Sequence, residues 1–311
     1  TFSIVVGSRA CNAGCPFCVS HMTGFTEVPK RGPIYVPNFE KACRLAQLRQ
    51  TTTVLMTGKG EPTLYPEEIS EYLRLLQPWG FPLIELQTNA LDIGWLARDG
   101  VARDSKRLTR ETLQEWRELG LNTIAISVVS ERAKHNALVY LNRSRHKDYP
   151  DLARTIQFLH EIGFTVRLCV MMHKGAVDSP TRVAELIEFC RAHEVDQLTV
   201  RPIRKTAAPT QSDPTSLYVT ERGIDAQEIA AIAEWIEHNG TRLMSLMHGA
   251  AVYDVGGQNV CLSDCLTLDA SGDDIRTLIF YSDGRLAYDW QYPGAKILRG
   301  VSEAVRNSQP S

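Results

Sequence analysis

Between residues 3 and 203 the chain alternates short, β-branched apolar runs with longer amphipathic segments, six times in succession. Each run is almost continuously apolar, as in strands that are covered on both faces. Strands that alternate with helices pair in parallel through right-handed crossovers. Six units are fewer than the eight of a closed TIM barrel, so we expect an α/β fold with a partial (β/α)6 TIM-like barrel over residues 1–204. The candidate strands are Ser3–Gly7, Thr53–Thr57, Leu83–Gln87, Thr123–Val128, Thr165–Met171 and Gln197–Arg201.

Helix start and stop residues mark the segments between these strands. Asn38 and Thr109 are residue types that cap helix N-termini, and Pro66 precedes two acidic residues that suit the first turn of a helix. Gly163 is expected to end its helix, because glycine readily adopts the left-handed conformation. The predicted helices run from Asn38 to Leu48, from Pro66 to near Gly80, from Thr109 to Gly120, from Asp148 to Gly163 and from Pro180 to His193.

The character of the sequence changes after residue 204. We expect residues 205–311 to form a C-terminal extension with a helix and a β-hairpin, which covers the barrel opening and contributes to the substrate pocket. Alternating runs on both sides of an Asp-Gly pair are a strong hairpin signal. The predicted elements are a linker or loop over Thr206–Thr220, a helix over Asp225–His238, and strands Ile275–Tyr281 and Arg285–Trp290 around the turn Asp283-Gly284.

Composition narrows the class of protein. The net charge is −2 at pH 7, so no global field attracts the chain to nucleic acid or to an anionic membrane. No apolar run is long enough to span a bilayer, and the first residues lack a basic stretch followed by an apolar core. We expect a cytoplasmic protein without a membrane partner, and a nucleic-acid partner is disfavoured. Eight cysteines in 311 residues are too sparse for a secreted disulfide scaffold.

Three of these cysteines fall within eight residues, directly after the first predicted strand. Cys11, Cys15 and Cys18 have C-x3-C-x2-C spacing, which indicates metal binding in a reducing compartment. Three adjacent thiolates can hold one cubane cluster and leave its fourth iron without a protein ligand, whereas such clusters ordinarily take four cysteines. The alternative is a zinc site completed by His21 or by a distant cysteine. The position favours an active site, since α/β barrels build theirs at the carboxyl ends of strands.

With Phe17 before its last cysteine, this motif resembles that of the radical S-adenosylmethionine (SAM) superfamily. The resemblance implies a [4Fe–4S] cluster whose open iron chelates the amino and carboxylate groups of SAM. An electron, from a donor such as flavodoxin or ferredoxin, then cleaves SAM to methionine and a 5′-deoxyadenosyl radical that abstracts a hydrogen atom from the substrate. The pattern is most similar to the molybdenum-cofactor-cyclase-like branch. The tail carries only Cys261 and Cys265, so we expect a single cluster.

Further motifs of the superfamily follow the later strands in order. Gly58-Lys59-Gly60-Glu61 resembles the Gly-Gly-Glu motif that holds the amino group of SAM, with a lysine interposed between the glycines. Thr88-Asn89 is similar to the Thr-Asn-Gly sequence of many members. For Ser127 and Arg201, a buried hydroxyl and an internal salt bridge are the alternatives to a SAM contact. The residues that the resemblance implies in cofactor binding are Phe17, Gly58, Lys59, Gly60, Glu61, Thr88, Asn89, Ser127 and Arg201.

Fewer residues point to the substrate. His173 follows the fifth strand and is the candidate for catalytic contact with it, with an ordinary surface histidine as the alternative. Tyr253, Gln258 and Asn259 are candidates for lining the substrate pocket, and the same residue types also suit a solvent loop. We expect a small-molecule or nucleotide substrate, with RNA or peptide modification as the alternative. The alternative of another class is a non-catalytic zinc or Fe–S binding protein on a barrel scaffold.

Overall fold

The computed structural model describes residues 1–22, 28–205, 214–246, 249–263, 275–290 and 292–308. The strands are β1 (Phe2–Val5), β2 (Thr53–Thr57), β3 (Leu83–Thr88), β4 (Thr123–Val128), β5 (Thr165–Met172), β6 (Gln197–Pro202), β7 (Thr241–Ser245), β8 (Ala251–Val255), β9 (Gln258–Leu262), β10 (Leu278–Tyr281), β11 (Leu286–Ala287) and β12 (Lys296–Leu298). They form one sheet in the order β12-β11-β10-β1-β2-β3-β4-β5-β6-β9-β8-β7. The mixed α/β architecture with an open, largely parallel sheet confirms the predicted fold class.

Eleven α-helices lie in the described part of the chain, and those that contribute to the main core cover the convex face of the sheet. The eleven are α1 (Val19–Met22), α2 (Val36–Leu48), α3 (Pro66–Leu76), α4 (Leu91–Asp99), α5 (Arg110–Glu118), α6 (Ala133–Tyr140), α7 (Leu152–Ile162), α8 (Pro180–Ala192), α9 (Pro214–Arg222), α10 (Ala226–Asn239) and α11 (Glu303–Asn307). None of the helices in the described ranges is long and apolar enough to cross a membrane.

The six central strands, β1 to β6, pair in parallel with their neighbours along the chain. Their bounds differ from the predicted ones by at most two residues, as in β1, which ends at Val5. On β2, Val54 and Met56 are fully buried in the main core under the helices, whereas Thr53, Leu55 and Thr57 are half-buried on the other face. The concave face of the sheet is therefore the more open and more polar one.

Two of the predicted helix starts depend on which side chain caps the helix. Thr109 caps α5 as predicted, since its hydroxyl accepts the backbone N–H of Thr112 at 3.2 Å. The helix predicted from Asp148 begins later, because Asp151 accepts the backbone N–H of Arg154 at 3.0 Å. An aspartate can cap a helix only from the position directly before its first turn. Asp148 and Asp151 are both candidates for that position, and Asp151 is the one that occupies it.

Asn38 does not cap α2, which begins two residues earlier at Val36 with a proline in its first turn. The Asn38 amide instead donates to the carbonyl oxygen of Gly284 at 2.9 Å and so ties the helix to the C-terminal hairpin.

The helices α4 and α6 were not predicted. Helix α4 follows Ala90 in a left-handed conformation, with φ 53°, and an alanine there gives no recognisable start signal.

The C-terminal region adds a parallel strand to each side of the six. β9 pairs in parallel with β6, and β10 pairs in parallel with β1, so eight neighbouring strands run in one direction. β9 and β10 are not neighbours in the strand order, and the sheet does not close. Beyond them, β8 and β7 on one side and β11 and β12 on the other continue the sheet in antiparallel pairs.

The predicted hairpin is confirmed in β10 and β11, which pair across the turn containing Gly284, whose φ is 85°. The linker predicted over Thr206–Thr220 is wrong from residue 214 onward, where α9 begins at Pro214, and residues 206–213 lie outside the described residues. Proline is well suited to the first helical turn. Val219 of α9 packs into a small core beneath the cysteine loop, and this tertiary contact explains a helix in a polar segment.

Candidate active site

The cysteine loop leaves the carboxyl end of β1 and is held at its entry by the segment after β2. Gly7 has a φ of 72°, and the ring of Tyr65 occupies the space where a side chain would lie. The backbone N–H of Gly7 donates to Glu68 Oε1 at 3.0 Å, and Ser8 shares a hydrogen bond with the Tyr65 hydroxyl. These contacts fix the start of the loop relative to α3.

The three cysteines of this loop are close enough to influence one another electrostatically. Burial raises the pKa of Cys11 to about 12 and also raises the pKa of Cys15, and the other thiolates act in the same direction. Thiolates at such a site become favourable when a metal cation neutralises them. Two donors already face Cys11 Sγ, the backbone N–H of Ala13 at 3.4 Å and the Asn89 amide at 3.8 Å. Hydrogen bonds to sulfur are characteristic of Fe–S ligands.

Three free cysteine thiols in one short loop are a donor set that a cubane cluster takes, whereas a zinc ion would need a fourth donor. Zinc needs four donors around one point, within about 2.0–2.3 Å of the metal. The described side chains contain no group of three or more histidine, cysteine or carboxylate donors that converges in this way, and His21 is exposed. A [4Fe–4S] cluster takes each thiolate on a different iron, so its ligands are more widely separated.

Glu61 is the centre of a buried hydrogen-bond network beside the cysteine loop. Its side chain is 3 % exposed. Oε1 accepts from Thr88 Oγ1 at 2.6 Å and from the Thr63 hydroxyl at 2.8 Å, and Oε2 accepts from the backbone N–H of Asn89 at 2.9 Å. Burial raises the pKa of Glu61, and these hydrogen bonds act in the opposite direction. The carboxylate therefore ties the end of β2 to the end of β3.

Asn89 links the hydrogen-bond network of Glu61 to the cysteine loop. Its side-chain amide donates to Asn12 Oδ1 at 2.8 Å and faces Cys11 Sγ, while its Oδ1 accepts the backbone N–H of Leu91 at 2.9 Å. Glu61 in turn holds the Asn89 backbone. The predicted residues at the ends of the first three strands are thus one continuous hydrogen-bonded unit.

The glycines of the Gly58-Lys59-Gly60-Glu61 motif serve backbone packing. A Cβ on Gly60 would overlap the carbonyl oxygen of Ala10, which accepts the backbone N–H of Glu61 at 2.9 Å. A Cβ on Gly58 would lie 3.0 Å from the Gly60 carbonyl oxygen, within the same turn. Gly60 thus packs against the residues that precede Cys11, and Gly58 packs within its own turn.

Lys59, between the two glycines, is also buried, with 7 % of its surface exposed. Its Nζ lies 4.6 Å from the centroid of the Trp290 ring, which follows β11 in the C-terminal extension. Burial lowers the pKa of Lys59 to about 7, Arg285 acts in the same direction, and Cys18 opposes it. The lysine therefore links the extension electrostatically to the cysteine loop.

Ser127 and Arg201 lie on the concave face of the sheet. In the strand register Ser127 is paired with Cys169, Cys169 with Thr199, and Thr199 with Cys261, so these four residues form one row across β4, β5, β6 and β9. Arg201 lies one row nearer the carboxyl ends, and its Nε contacts Met171 Sδ at 3.4 Å. Arg201 also lowers the pKa of Glu85 on β3, so this carboxylate is within electrostatic reach of its guanidinium.

Sequence reasoning missed an ion pair on this concave face. Glu85 of β3 and Arg167 of β5 form a salt bridge, with 8 % and 25 % of their side chains exposed. Burial raises the pKa of Glu85, and Arg167 opposes that shift. The sequence could have indicated this pair, because Glu85 and Arg167 are charged residues inside otherwise apolar strands. A charged residue in such a strand needs a partner.

His173 lies behind the cysteine loop. Its ring centroid is 5.7 Å from that of Phe17 and 6.2 Å from that of Tyr218 on α9, and Nδ1–H donates to the carbonyl oxygen of Met171 at 3.1 Å. Burial lowers the pKa of His173. Phe17 and His173 are thus brought together with the cysteines, in a small aromatic layer under Cys18.

The three candidates in the extension are placed apart from the cysteines. The Tyr253 hydroxyl donates to Glu237 of α10 at 3.0 Å on the convex face, and Gln258 donates to the carbonyl oxygen of Val195 at 2.9 Å at the amino end of β9. Tyr253 thus joins the sheet to α10, and Gln258 joins it to the loop between α8 and β6. Their place in a substrate pocket stays a prediction. Asn259 points to the concave face, because its neighbour Val260 is fully buried in the main core. Cys265 lies outside the described residues.

The fold and the site together define an α/β-barrel protein with a three-cysteine centre at the carboxyl ends of its parallel strands. The profile of the radical SAM superfamily matches residues 5–190. The chain belongs to this superfamily, and membership implies a [4Fe–4S] cluster and SAM. The molybdenum-cofactor-cyclase-like branch and the single cluster stay predictions.

Solved structures with the same fold share little sequence with this chain. SuiB of Streptococcus suis bound to S-adenosylmethionine is 17 % identical with a TM-score of 0.57, over 95 % of this chain and 62 % of that chain. Native anSMEcpe with bound AdoMet is 12 % identical with a TM-score of 0.56, over 94 % and 74 %. A radical SAM methyltransferase from Sphaerobacter thermophilus is 19 % identical with a TM-score of 0.52, over 86 % and 68 %. Among curated proteins, none matches.

Proposed function

We propose that this enzyme reductively cleaves SAM and abstracts a hydrogen atom from a small-molecule or nucleotide substrate. When bound, the cluster and SAM supply the one-electron chemistry that generates a 5′-deoxyadenosyl radical. The observation that carries the proposal is the unit in which Glu61 holds Asn89 and Asn89 faces Cys11. It fixes the cysteine loop against the ends of β2 and β3, where a bound cofactor needs a rigid frame.

The residues of this chain have distinct proposed tasks. Cys11, Cys15 and Cys18 hold three irons of the cluster. Glu61 orients the loop that receives the amino group of SAM, and one lone pair of its Oε2 is left after the bond to Asn89. Arg201, whose Nε contacts Met171 Sδ at 3.4 Å, carries a guanidinium suited to bind a carboxylate in bidentate fashion.

The concave face supports a small, amphipathic substrate. One wall is polar and charged, with the Glu85–Arg167 pair on β3 and β5. The other wall is apolar and is built by β1, β10 and the segment after β11. Polar groups on one side and aromatic surface on the other are typical of small-molecule sites. The apolar wall consists of Val5, Ile279, Tyr281, Ala287 and Trp290.

A peptide substrate is the second candidate, and one observation favours it. β7 is the edge of the sheet, all five of its residues are exposed, and it includes Leu243 and Met244 at more than half exposure. An exposed edge strand can pair with an extended peptide. A solved structure of anSMEcpe that holds AdoMet and a Kp18Cys peptide has a TM-score of 0.56 to this chain.

Anaerobic reconstitution with iron and sulfide tests the initiating chemistry. We expect about four irons per chain and a reduced cluster whose EPR signal changes when SAM is added. Cys15→Ser should lose iron and the signal, whereas the same substitution at buried Cys43 of α2 should keep both. A colourless protein that contains zinc would contradict the proposal.

Release of 5′-deoxyadenosine tests the substrate class. Dithionite-reduced enzyme is incubated with SAM and with pooled metabolites, nucleotides, RNA or peptides, and the nucleoside is quantified. We expect the largest stimulation from a small molecule or nucleotide. Stimulation by peptides that is lost on disrupting the β7 edge with Met244→Pro would favour the second candidate instead.

A further inference from the structure

Lys59 is the residue by which this chain departs from the Gly-Gly-Glu pattern of its superfamily, and the structure buries it. The ammonium lies over the face of Trp290, 4.6 Å from the ring centroid, in the geometry of a cation–π contact. A buried lysine is costly unless its surroundings favour the charge. The contact with Trp290 is one interaction that favours this charge.

The loop that carries Lys59 rests directly on the start of the cysteine loop. Glu61 N–H donates to the Ala10 carbonyl oxygen at 2.9 Å, and Gly60 has no room for a side chain against the same oxygen. Lys59 thus sits on the rigid unit already described. Its backbone cannot move away from the cysteines without breaking that hydrogen bond.

The two charged residues of this motif act on different cysteines. Glu61 raises the pKa of Cys11 and of Cys15 by charge repulsion. Cys18, by contrast, raises the pKa of Lys59, so the sulfur and the ammonium attract each other. The cysteine centre is therefore subject to two buried charges of opposite sign, the anion of Glu61 and the cation of Lys59.

We propose that Lys59 is a positioning residue that raises the reduction potential of the cluster, with Trp290 fixing the position of its ammonium. This inference rests on the proposed function, since it requires the cluster. Reduction adds one negative charge to the cluster, and a cation in a weakly screened site stabilises the reduced form more than the oxidised form. Net charge close to an Fe–S cluster is a recognised determinant of its potential.

Through Trp290, the C-terminal extension contributes to the proposed effect of Lys59 on the reduction potential. The indole shields the ammonium from water and binds it through its face, so the charge acts through protein rather than solvent. Burial favours the neutral amine, as the lowered pKa of Lys59 reflects, whereas the ring and the Cys18 thiolate favour the ammonium.

The test is a redox titration of the reconstituted enzyme followed by EPR. Lys59→Met removes the charge at similar length, and we expect a more negative midpoint potential at unchanged iron content. Lys59→Arg keeps the charge and should stay near the wild-type value. Trp290→Leu should shift the midpoint in the same direction as Lys59→Met, but less. Lys41→Met, the same substitution at an exposed position of α2, is the matched control and should have no effect.

Lys59→Gln is the second neutral variant in case Lys59→Met does not take up iron. A wild-type midpoint in either neutral variant, with iron and EPR signal retained, would overturn the inference. So would an equal shift in Lys59→Arg, because that would indicate a packing effect instead of a charge effect. Wild-type protein that forms no cluster would refute the proposed function itself, and the two failures are therefore distinguishable.

Discussion

The carboxylate of Glu61 and the hydroxyl of Thr88 are joined by a 2.6 Å hydrogen bond across the ends of two neighbouring strands. All the groups around this carboxylate are donors, including the backbone N–H of Asn89. We predict that Glu61→Gln places an amide N–H against one of these donors and lowers the free energy of unfolding by about 1–3 kcal/mol. Urea denaturation of the apoprotein measures this loss.

The same variant should also weaken SAM binding, measured by titrating SAM into reconstituted, reduced protein and following the EPR change. Glu118→Gln, at an exposed position near the end of α5, is the matched control for the chemical change. Wild-type stability and wild-type SAM affinity in Glu61→Gln would show that the network does not frame the site.

Gly60 gives a second prediction, which concerns backbone packing. A Cβ at this position would overlap the Ala10 carbonyl oxygen, and neither backbone segment has a flexible side chain that could yield. Gly60→Ala should therefore cost about 1–3 kcal/mol in unfolding free energy, as overpacking does in a rigid core. Gly294→Ala, where no atom lies within 4 Å of the added carbon, is the control and should be close to neutral. Equal stabilities for the two variants would contradict the packing assigned to Gly60.

Sequence alone predicted the six central strands and the order of the motifs at their ends, because local patterns specify both. The sequence did not predict that β9 and β10 pair in parallel with the central strands. Their pairing with β6 and β1 joins residues that are far apart in the chain, for example Phe2 with Leu278. The Glu85–Arg167 pair, 82 residues apart, was missed for the same reason.

A residue type alone does not indicate which partners its side chain has in the folded protein. Tyr253 and Gln258 are polar and near glycines, which suggested a pocket, but each hydrogen-bonds a helix or loop on the convex side. Gly60 approaches the backbone of Ala10, and Gly58 approaches Gly60 and Pro62 of its own turn. Which group a glycine approaches is a tertiary property, so the sequence could predict the contact but not the partner.

Asn89 supports a prediction on how firmly the cluster is held. Its amide reaches Asn12 at 2.8 Å and faces Cys11 Sγ. Asn89→Ala should speed the loss of iron to a chelator, because the cysteine loop loses its link to β3 and one donor to sulfur. The rate of bleaching of the cluster absorption measures this. Asn142→Ala, at an exposed position after α6, should bleach at the wild-type rate, and equal rates in both variants would contradict the role of Asn89.

A surface ion-pair network predicts a pH effect on stability. Asp148 accepts from Arg98 at 2.8 Å and from Arg103 at 2.7 Å, and these hydrogen bonds hold the pKa of Asp148 well below its usual range. A depressed carboxyl pKa contributes stability above the unfolded value, about 3.9, and this contribution is lost as the pH falls through the folded value. Asp148→Asn should therefore remove part of the acid-dependent loss of stability below about pH 4.

Unfolding free energies measured as a function of pH test this sign. The same substitution in a background of Arg98→Met and Arg103→Met should have little effect on the pH dependence, since the depressing partners are gone. A steeper acid loss in Asp148→Asn than in wild type would contradict the assignment.

The Glu85–Arg167 pair on the concave face yields the last prediction. Both groups are mostly out of solvent, so removing one leaves the other charged and poorly solvated. We expect Glu85→Gln and Arg167→Met each to lower the unfolding free energy by about 1–3 kcal/mol. The double variant should be less destabilised than the sum of the two, because neither stranded charge remains. Strict additivity would show that the two side chains do not stabilise each other, and the polar wall proposed for substrate would then have to be built by other residues.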